Sequence, residues 1–479
     1  MANRALTDTP SIAWNFATAG QAKANIPANV FLNVLDYGVT GNGSTDDTAA
    51  LQAAIDAAPN YSTLYIPTGL NIRTTDSIVI NNRKGLRLTS GGEVGASGSN
   101  PGATKITYDG ANDGTVIVMD GTRDSILENF TITCNDKAKV GIDVKMTIAA
   151  TEATSFNRYK SLTIWQSASG RTNWRGIQIA ENDTGQNCEH FVIEECFFSG
   201  GAVSGSDGVH INSAGNALVH AIINCAFDSC AIGVFCYLGS FYSTNSMMNN
   251  NHYDFWTWAI DPCFIDFTRT ENAYQFIGTG SGNAPLHLRG NNFGSPNAVH
   301  ATSWIDYSGS ALVMTANQFN IATFADIPPF APSGSHLVSI GNVYAHPDIL
   351  TYFRDTFVFG VVSLGDSGVG ATGTAASLNR SFFSSGDYRT YGDVSLHEQH
   401  ATGQVLMNGD FFGALDNDAS IRALIGLTDT GQIKFGDPAC ALRLRTSLAT
   451  ISGTPVNGDC WIDFTGTTPS RQLRLNVRD

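Results

Sequence analysis

Four acidic side chains, Glu195, Asp228, Asp254 and Glu271, first suggest chemistry in this sequence. They fall within a recurring pattern, apolar-x-x-[Cys/Asn]-x-aromatic. Ile193 leads Cys196 and Phe198, Ile222 leads Cys225 and Phe227, and Met248 leads Asn251 and Tyr253. Leu288 leads Asn291 and Phe293, Met314 leads Asn317 and Phe319, while Asn272 precedes Tyr274 and Asn342 precedes Tyr344. The Cys/Asn positions are spaced 29, 26, 21, 19, 26 and 25 residues apart. Asp228 and Asp254 each follow the repeat aromatic, so this alignment puts them at one position on consecutive repeats. Glu195 and Glu271 each precede the Cys/Asn position. Like charges stacked across neighbouring strands repel, and one of such a pair takes a raised pKa. Glycoside hydrolysis requires that split, one carboxyl protonated as acid and one ionised as nucleophile or base. Carboxyls about 5 Å apart would give retention and about 6.5–9.5 Å inversion, a choice the sequence leaves open. The competing reading is solvated turn acids, or a cation site between repeats.

Other residues near these repeats suit sugar binding. Aromatic side chains crowd 252–258, where His252, Trp256 and Trp258 flank Asp254. Either tryptophan equally suits a sugar face or the core. Arg269 and Arg289 have the planar donor fork that holds a sugar carboxylate, or that neutralises neighbouring acids. In Ser206-Asp207-Gly208-Val209-His210, Asp207 suits a turn, and His210 alternates with Val209 and Ile211 and should point outward. His210, His252 or a lysine would serve as the base of a lyase, with Arg269 or Arg289 neutralising the uronate.

The repeat must position these groups. A period in the low to middle twenties fits one turn of a parallel β-helix, whose coils bury a common apolar column by stacking. The repeated aromatic should form an internal stack. The asparagines should form a hydrogen-bonded ladder at a turn, and Cys196 and Cys225 mark that position as enclosed. Ahead of the repeat, Gly41-Asn42-Gly43 and Ser44 to Asp47 precede a helical face of Leu51, Ala54, Ile55 and Ala58, closed by Pro59. Asp46 and Asp47 would repel phosphate, so this loop reads as the start of a capping helix.

Composition agrees. The 479 residues hold 27 Lys+Arg and 42 Asp+Glu, a net charge of −15, with no basic run, which argues against nucleic acid. Only 14% of residues are charged, while 49 Gly and 38 Asn supply turns, so short strands rather than helices are expected. No apolar run is long enough for a membrane span. The first 20 residues lack an apolar stretch behind a basic start, so no secretory signal is expected. Nine cysteines, an odd number in apolar settings without zinc spacing, read as reduced buried thiols. No metal or other cofactor is expected. Expected boundaries are an N-terminal segment at 1–30, a capped β-helix at 31–365, a transition at 366–400 and a small β domain at 401–479. The last is read from the alternating Ile433/Phe435, Leu442/Leu444, Ile462/Phe464 and Leu473/Leu475/Val477.

Asp36-Tyr37-Gly38, Gly41-Asn42-Gly43, Thr45 to Thr48, Leu51 to Asp56 and Ile66-Pro67-x-Gly69 resemble the opening of the pectate-lyase-like superfamily. That resemblance implies an all-β, right-handed parallel β-helix, and many members are bacteriophage tailspikes and capsule depolymerases. It implies a homotrimer on a virion tail, made in the host cytoplasm and attached through a tail or adaptor protein. The ending, GTPVNGDCWIDFTG then RQLRLNVRD, resembles strand-turn-strand pieces of phage fibres, for trimer clamping or sugar binding. The substrate implied is a bacterial surface polysaccharide: capsule, O-antigen or exopolysaccharide. Three readings follow: an endo-acting hydrolase, a polysaccharide lyase in which calcium often takes part, and a non-catalytic receptor-binding tail protein.

Overall fold

Strands, most of two to eight residues and many alternating a buried with a solvent-facing side chain, recur along the chain and pair in parallel with the equivalent strand one coil away. The computed structural model describes residues 13–18, 21–25, 30–91, 103–147, 153–181, 188–202, 204–279, 284–294, 303–320, 330, 336–344, 361–364, 366–369, 375–377, 380–382, 425–427, 433–437, 440–441, 460–465 and 472–477. Two units are distinguished, Met1–Gly386 and Asp387–Asp479.

The first unit is a right-handed parallel β-helix with three faces. One face runs from Ile78–Asn81 through Gly114–Asp120, Ala138–Lys145, Arg175–Ile179, 207–212, 232–237 and Tyr253–Trp258 to Gln275–Thr279. The second includes Ile126–Glu128, Arg158–Lys160, Val192–Glu194, 221–223, 242–244, Cys263–Asp266, Leu286–Arg289, Ala311–Thr315 and His336–Ile340. These two faces join where Asp207–Ile223 and Ile232–Thr244 run round the corner between them. The third face is a 14-stranded sheet from Asn42–Asp46 to Ala375–Ser377. Coils cannot bury their inner faces alone, so the core is one continuous apolar column along the axis.

The corner between the second and third faces is the tightest. A residue with positive φ turns the chain at Asn129, Ser161, Glu195, Asn224, Asn245, Phe267, Gly290, Ala316 and Gly341, and the next residue points inward. From residue 196 onward those inward positions are Cys196, Cys225, Ser246, Thr268, Asn291, Asn317 and Asn342, and the carbonyls of all but the last accept from a backbone N–H of the next coil. The expected column through Asn251 and Asn272 is therefore corrected. Coils here advance by 21 or 22 residues, so Ser246 and Thr268 take those slots. Asn251 and Asn272 lie beyond the third-face strands Met247–Asn249 and Arg269–Glu271, toward the first face.

Where asparagine does occupy the column, the ladder forms. Asn291 Nδ2 donates to Asn317 Oδ1 (2.9 Å) and to the Ile265 carbonyl (2.8 Å). Asn317 Nδ2 donates to Asn342 Oδ1 and to the Leu288 carbonyl, both at 2.9 Å. Asn342 passes the chain to Asp366 Oδ1. Beside it an aromatic stack is present in two runs: Phe198–Phe227 (4.9 Å), and Phe276–Phe293–Phe319–Tyr344 (5.0, 4.7 and 4.9 Å); the expected members Tyr253 and Tyr274 are half-buried against His252 instead, and Phe276 begins the second run. Cys134, Cys188, Cys196, Cys225, Cys230, Cys236 and Cys263 are all buried, and none is in a disulfide.

The capping helix is Thr48–Ala57, and Leu51, Ala54 and Ile55 are its buried face. Asp47, at the N-cap position, does not cap it. Its carboxylate instead closes the glycine loop by accepting from Thr40 N (2.8 Å) and Gly41 N (2.9 Å). Asp46 accepts from Thr48 N (3.1 Å).

Ahead of the β-helix, Ala13–Thr18 pairs antiparallel with Gln21–Asn25. In the second unit, Ile425–Leu427, Ile433–Asp437 and Cys440–Ala441 form an antiparallel sheet, and Cys460–Thr465 pairs with Gln472–Val477. Leu442 and Leu444, and most of the 366–400 transition, lie outside the described residues.

Asn317→Ala would leave the buried Asn291 amide and Leu288 carbonyl without partners. A loss of roughly 1–3 kcal/mol is expected for each such group. Urea unfolding followed by circular dichroism should show a lowered midpoint, and an unchanged midpoint would disprove the ladder's role.

Candidate functional site

The first face carries a cluster that register alone assembles. Gln178, His210, Phe235 and Trp256 occupy one outward position on four successive strands. His210 lies flat against Phe235 (4.4 Å, 4°), and Phe235 against Trp256 (4.8 Å, 6°). The parallel column of Asn212, Tyr237 and Trp258 runs beside it, with Tyr237 and Trp258 edge to face.

The imidazole is only 3% exposed and both its nitrogens face carboxylates. Nδ1 is 2.7 Å from Asp207 Oδ2 and Nε2 is 2.8 Å from Glu181 Oε2. Asn212 Nδ2 donates to the same Glu181 oxygen at 2.9 Å. Arg175 stands one strand before Asp207, its Nε 3.9 Å from Asp207 Oδ2. Gln178 ties the cluster to Asp143, donating to Oδ1 at 2.9 Å.

These neighbours drive the two carboxyls apart. Burial pushes the Asp207 carboxyl above the usual range, only partly offset by the hydrogen bond and charge of His210 and by Arg175; Glu181 adds to the rise. Burial also pushes Glu181 upward, but the hydrogen bond and charge of His210, with Arg175 and Asn212, outweigh it and hold it down to about 2. A ring with two N–H groups donates to both acids. A neutral ring accepts from protonated Asp207 and donates to Glu181. The same geometry therefore holds a proton at either end, with Glu181 the more solvent-accessible end at 23% against 6% for Asp207.

The four acids of the sequence reading are not brought together. Asp228 and Asp254 do not share a position: Asp228 aligns with Ser199, Asn249 and Glu271 on the third face. Asp228 Oδ1 accepts from the amides of Asn249 (3.1 Å) and Asn250 (3.0 Å). Glu271 is two strands from Asp228 and pairs with Arg269. Glu195 sits at the tight corner, accepting from Ser161 Oγ (2.9 Å). Asp254 lies on the first face instead, level with Gly233, and is fully buried inside the coil; the repeat aromatic Phe227 stands opposite Met248 rather than Tyr253. Its Oδ1 accepts from Asn251 Nδ2 (3.0 Å), and Oδ2 has no partner among the described residues.

The remaining expected residues separate similarly. Trp256 and Trp258 both face outward and Phe255 fills the core. His252 is exposed in a turn against Tyr253 and Tyr274. Arg269 and Arg289 lie on different faces, and Arg289 pairs with Asp266 rather than Asp254. Asp207 and the outward His210 do meet. Glu181, Arg175 and Asn212 were missed. The available signal was the 32-residue offset between Gln178 and His210, which sets Glu181 beside the residues after Ile211.

Residues 31–257 match the family described as rhamnogalacturonase A/epimerase, pectate lyase-like. A 39-residue stretch is 56% identical to mannuronan C5-epimerase AlgE3 of Azotobacter vinelandii; it covers 8% of this chain and 2% of that protein's length. The Acinetobacter phage vB_ApiP_P1 tailspike protein is similar at 13% identity over 82% of this chain and 70% of that chain, with a TM-score of 0.43. The tailspike gp49 of Acinetobacter baumannii bacteriophage Fri1, a capsular polysaccharide depolymerase, gives 11% over 77% and 70%, with a TM-score of 0.44. The coils of this chain form a pectate-lyase-like β-helix.

Burial lifts Asp254 well above the ordinary carboxylate value of 3.8, with Asn251 offsetting part. The folded chain thus keeps a proton that the unfolded chain releases. Stability should fall as pH rises above 3.8, by up to about 1.4 kcal/mol per unit, until the folded carboxyl itself ionises. Asp254→Asn should remove that slope from urea midpoints measured between pH 4 and 7 (roughly the carboxylate-to-neutral window), and parallel curves for the two proteins would refute the assignment.

Proposed function

We propose that this chain is a tailspike-type depolymerase that cleaves a bacterial surface polysaccharide on the first face of its β-helix. The observation carrying the reading is His210 held between Asp207 and Glu181 at the end of an outward aromatic row. The family description and the sequence resemblance supply the substrate class. Assembly as a homotrimer on a virion tail, directly or through an adaptor, belongs to the same proposal and rests on the resemblance.

Endo-acting glycoside hydrolysis is the reaction favoured. It needs one proton delivered to the departing glycosidic oxygen and one taken from the water that adds at the anomeric carbon. Asp207, its carboxyl pushed above the usual range by burial, and Glu181, held down to about 2, are joined through the imidazole and supply the donor and acceptor roles, their pKa values driven in opposite directions. The Phe235–Trp256 and Tyr237–Trp258 rings extend along the axis beside them, as a chain of sugars would. No step requires a cofactor. A lyase is the second reading, favoured by Arg175 beside Asp207, where a guanidinium can meet a uronate carboxylate.

Glu181→Gln and His210→Ala should each lower kcat about 100-fold or more, while Asp228→Asn keeps full activity. Release of reducing ends without an unsaturated, ultraviolet-absorbing product identifies hydrolysis, and its appearance identifies elimination. Activity should persist at low pH until Glu181 is protonated near 2, and fall on the alkaline side as Asp207 ionises. Full activity in both Glu181→Gln and His210→Ala would exclude this site.

A further inference from the structure

The second face carries a cavity of about 400 Å³, separate from the His210 cluster. A cavity of that size lies within the range, about 300–1,000 Å³, that accommodates small organic ligands. Its floor is built by register. Tyr242, Phe264, His287 and Val313 hold one outward position on four successive strands. Asp266 and Arg289 stand together at the adjacent outward position, while Ile265 and Leu288 between them point into the core.

The two positions differ in chemistry. The first is an apolar shelf: Phe264 and His287 lie ring against ring (4.6 Å, 16°), and Tyr242 and Phe264 remain 36% and 38% exposed. The second is a fixed polar pair. The Asp266 carboxylate is 3% exposed and meets Arg289 Nη2 at 2.5 Å, and Arg289 is 56% exposed. The guanidinium is also held over the Phe267 ring, 5.6 Å from its centroid. Burial lowers the His287 pKa, with Asp266 offsetting part, so the shelf adds no charge at neutral pH. The acid and the guanidinium cancel.

A ligand suited to this cavity has an apolar face, hydroxyls at its rim, and no net charge. Arg289 keeps N–H donors beyond the one given to Asp266, in a planar fork that suits adjacent hydroxyl oxygens. We infer that the cavity on the second face is a non-catalytic binding site for an uncharged pyranose unit of a polysaccharide. It would hold the chain at a point away from the cleavage site. The ligand class rests on the polysaccharide reading above; the site itself rests on the cavity.

The test uses the full chain carrying Glu181→Gln, alone and combined with Phe264→Ala or Arg289→Ala, on an array of purified bacterial capsular and O-chain glycans. Both second-face side chains are solvent-exposed, so the variants should fold, which circular dichroism checks. We expect an uncharged glycan to be retained by the parent and binding to weaken tenfold or more in each double variant. Retention unchanged by both substitutions, or no uncharged glycan retained at all, overturns the inference. So does a change of oligomeric state in the double variants, measured by sedimentation, since the face would then be a contact between copies. Failure of the cleavage reading is separate: it shows as undiminished depolymerisation by Glu181→Gln without either second substitution.

Discussion

Everything in the first unit depends on the tight corner between the second and third faces. There one residue takes a left-handed conformation and the next is driven inward, out of reach of water. An enclosed polar backbone must find its partners within the protein. Asparagine answers this because its side chain both donates and accepts. Asn317 satisfies the Asn291 amide on one side and reaches the Leu288 carbonyl with its own Nδ2. Cys196 and Cys225 meet a smaller demand, their thiols lying 3.3–3.5 Å from the carbonyls of Glu194, Tyr159, Ile223 and Ile193. With the corner fixed coil after coil, the strands on either side inherit a common register.

That register turns sequence-distant residues into a surface. His210, Phe235 and Trp256 are far apart along the chain yet become neighbours at one strand spacing. Arg175 and Asp207 meet in the same way. A solenoid face is rigid because each outward side chain is flanked by its counterparts above and below, which suits a polymeric ligand that must be held over several sugar units. The charge scarcity of the chain then acquires meaning: acids and bases brought together on a face of mostly neutral side chains perturb one another with little competition.

The fold was legible in the sequence because its signals are redundant. The capping helix face, the late asparagines Asn291, Asn317 and Asn342, and the repeat aromatics each pointed to stacked coils. The site was less legible because its position depends on register, and a shift of a few residues moves a side chain to another face or into the core. The alignment slipped between Cys225 and Asn291, where the corner uses Ser246 and Thr268 and leaves Asn251 and Asn272 as attractive decoys. Both slots hold small hydroxyl residues without the repeat signature. Asp254 and Glu271, placed through that stretch, were consequently displaced relative to Asp228. His210, just outside the slip, points outward as its alternation with Val209 and Ile211 requires, whereas Asp207, read as a turn residue, begins a strand, and Glu181 was missed because no repeat residue marks it.

The interior position of Asp254 follows from volume. Gly176, Gly208 and Gly233 face the core from successive strands, and a side chain there would strike Phe198, Phe227 and Met248 in turn. Asp254 takes the inward position after Gly233, and the stack position between Met248 and Phe293 is held by the small Thr270. Asp254 Oδ2 and Thr270 Oγ1 are both buried without a hydrogen-bond partner among the described residues. Each such group costs roughly 1–3 kcal/mol, so this level is the weakest in the polar accounting of the column. It lies in the strand that also presents Trp256 and Trp258 to the outer face. The coil that departs from the repeat inside is thus the coil that contributes the aromatic end of the groove outside, and a sequence pattern tuned to the repeat is least able to read it.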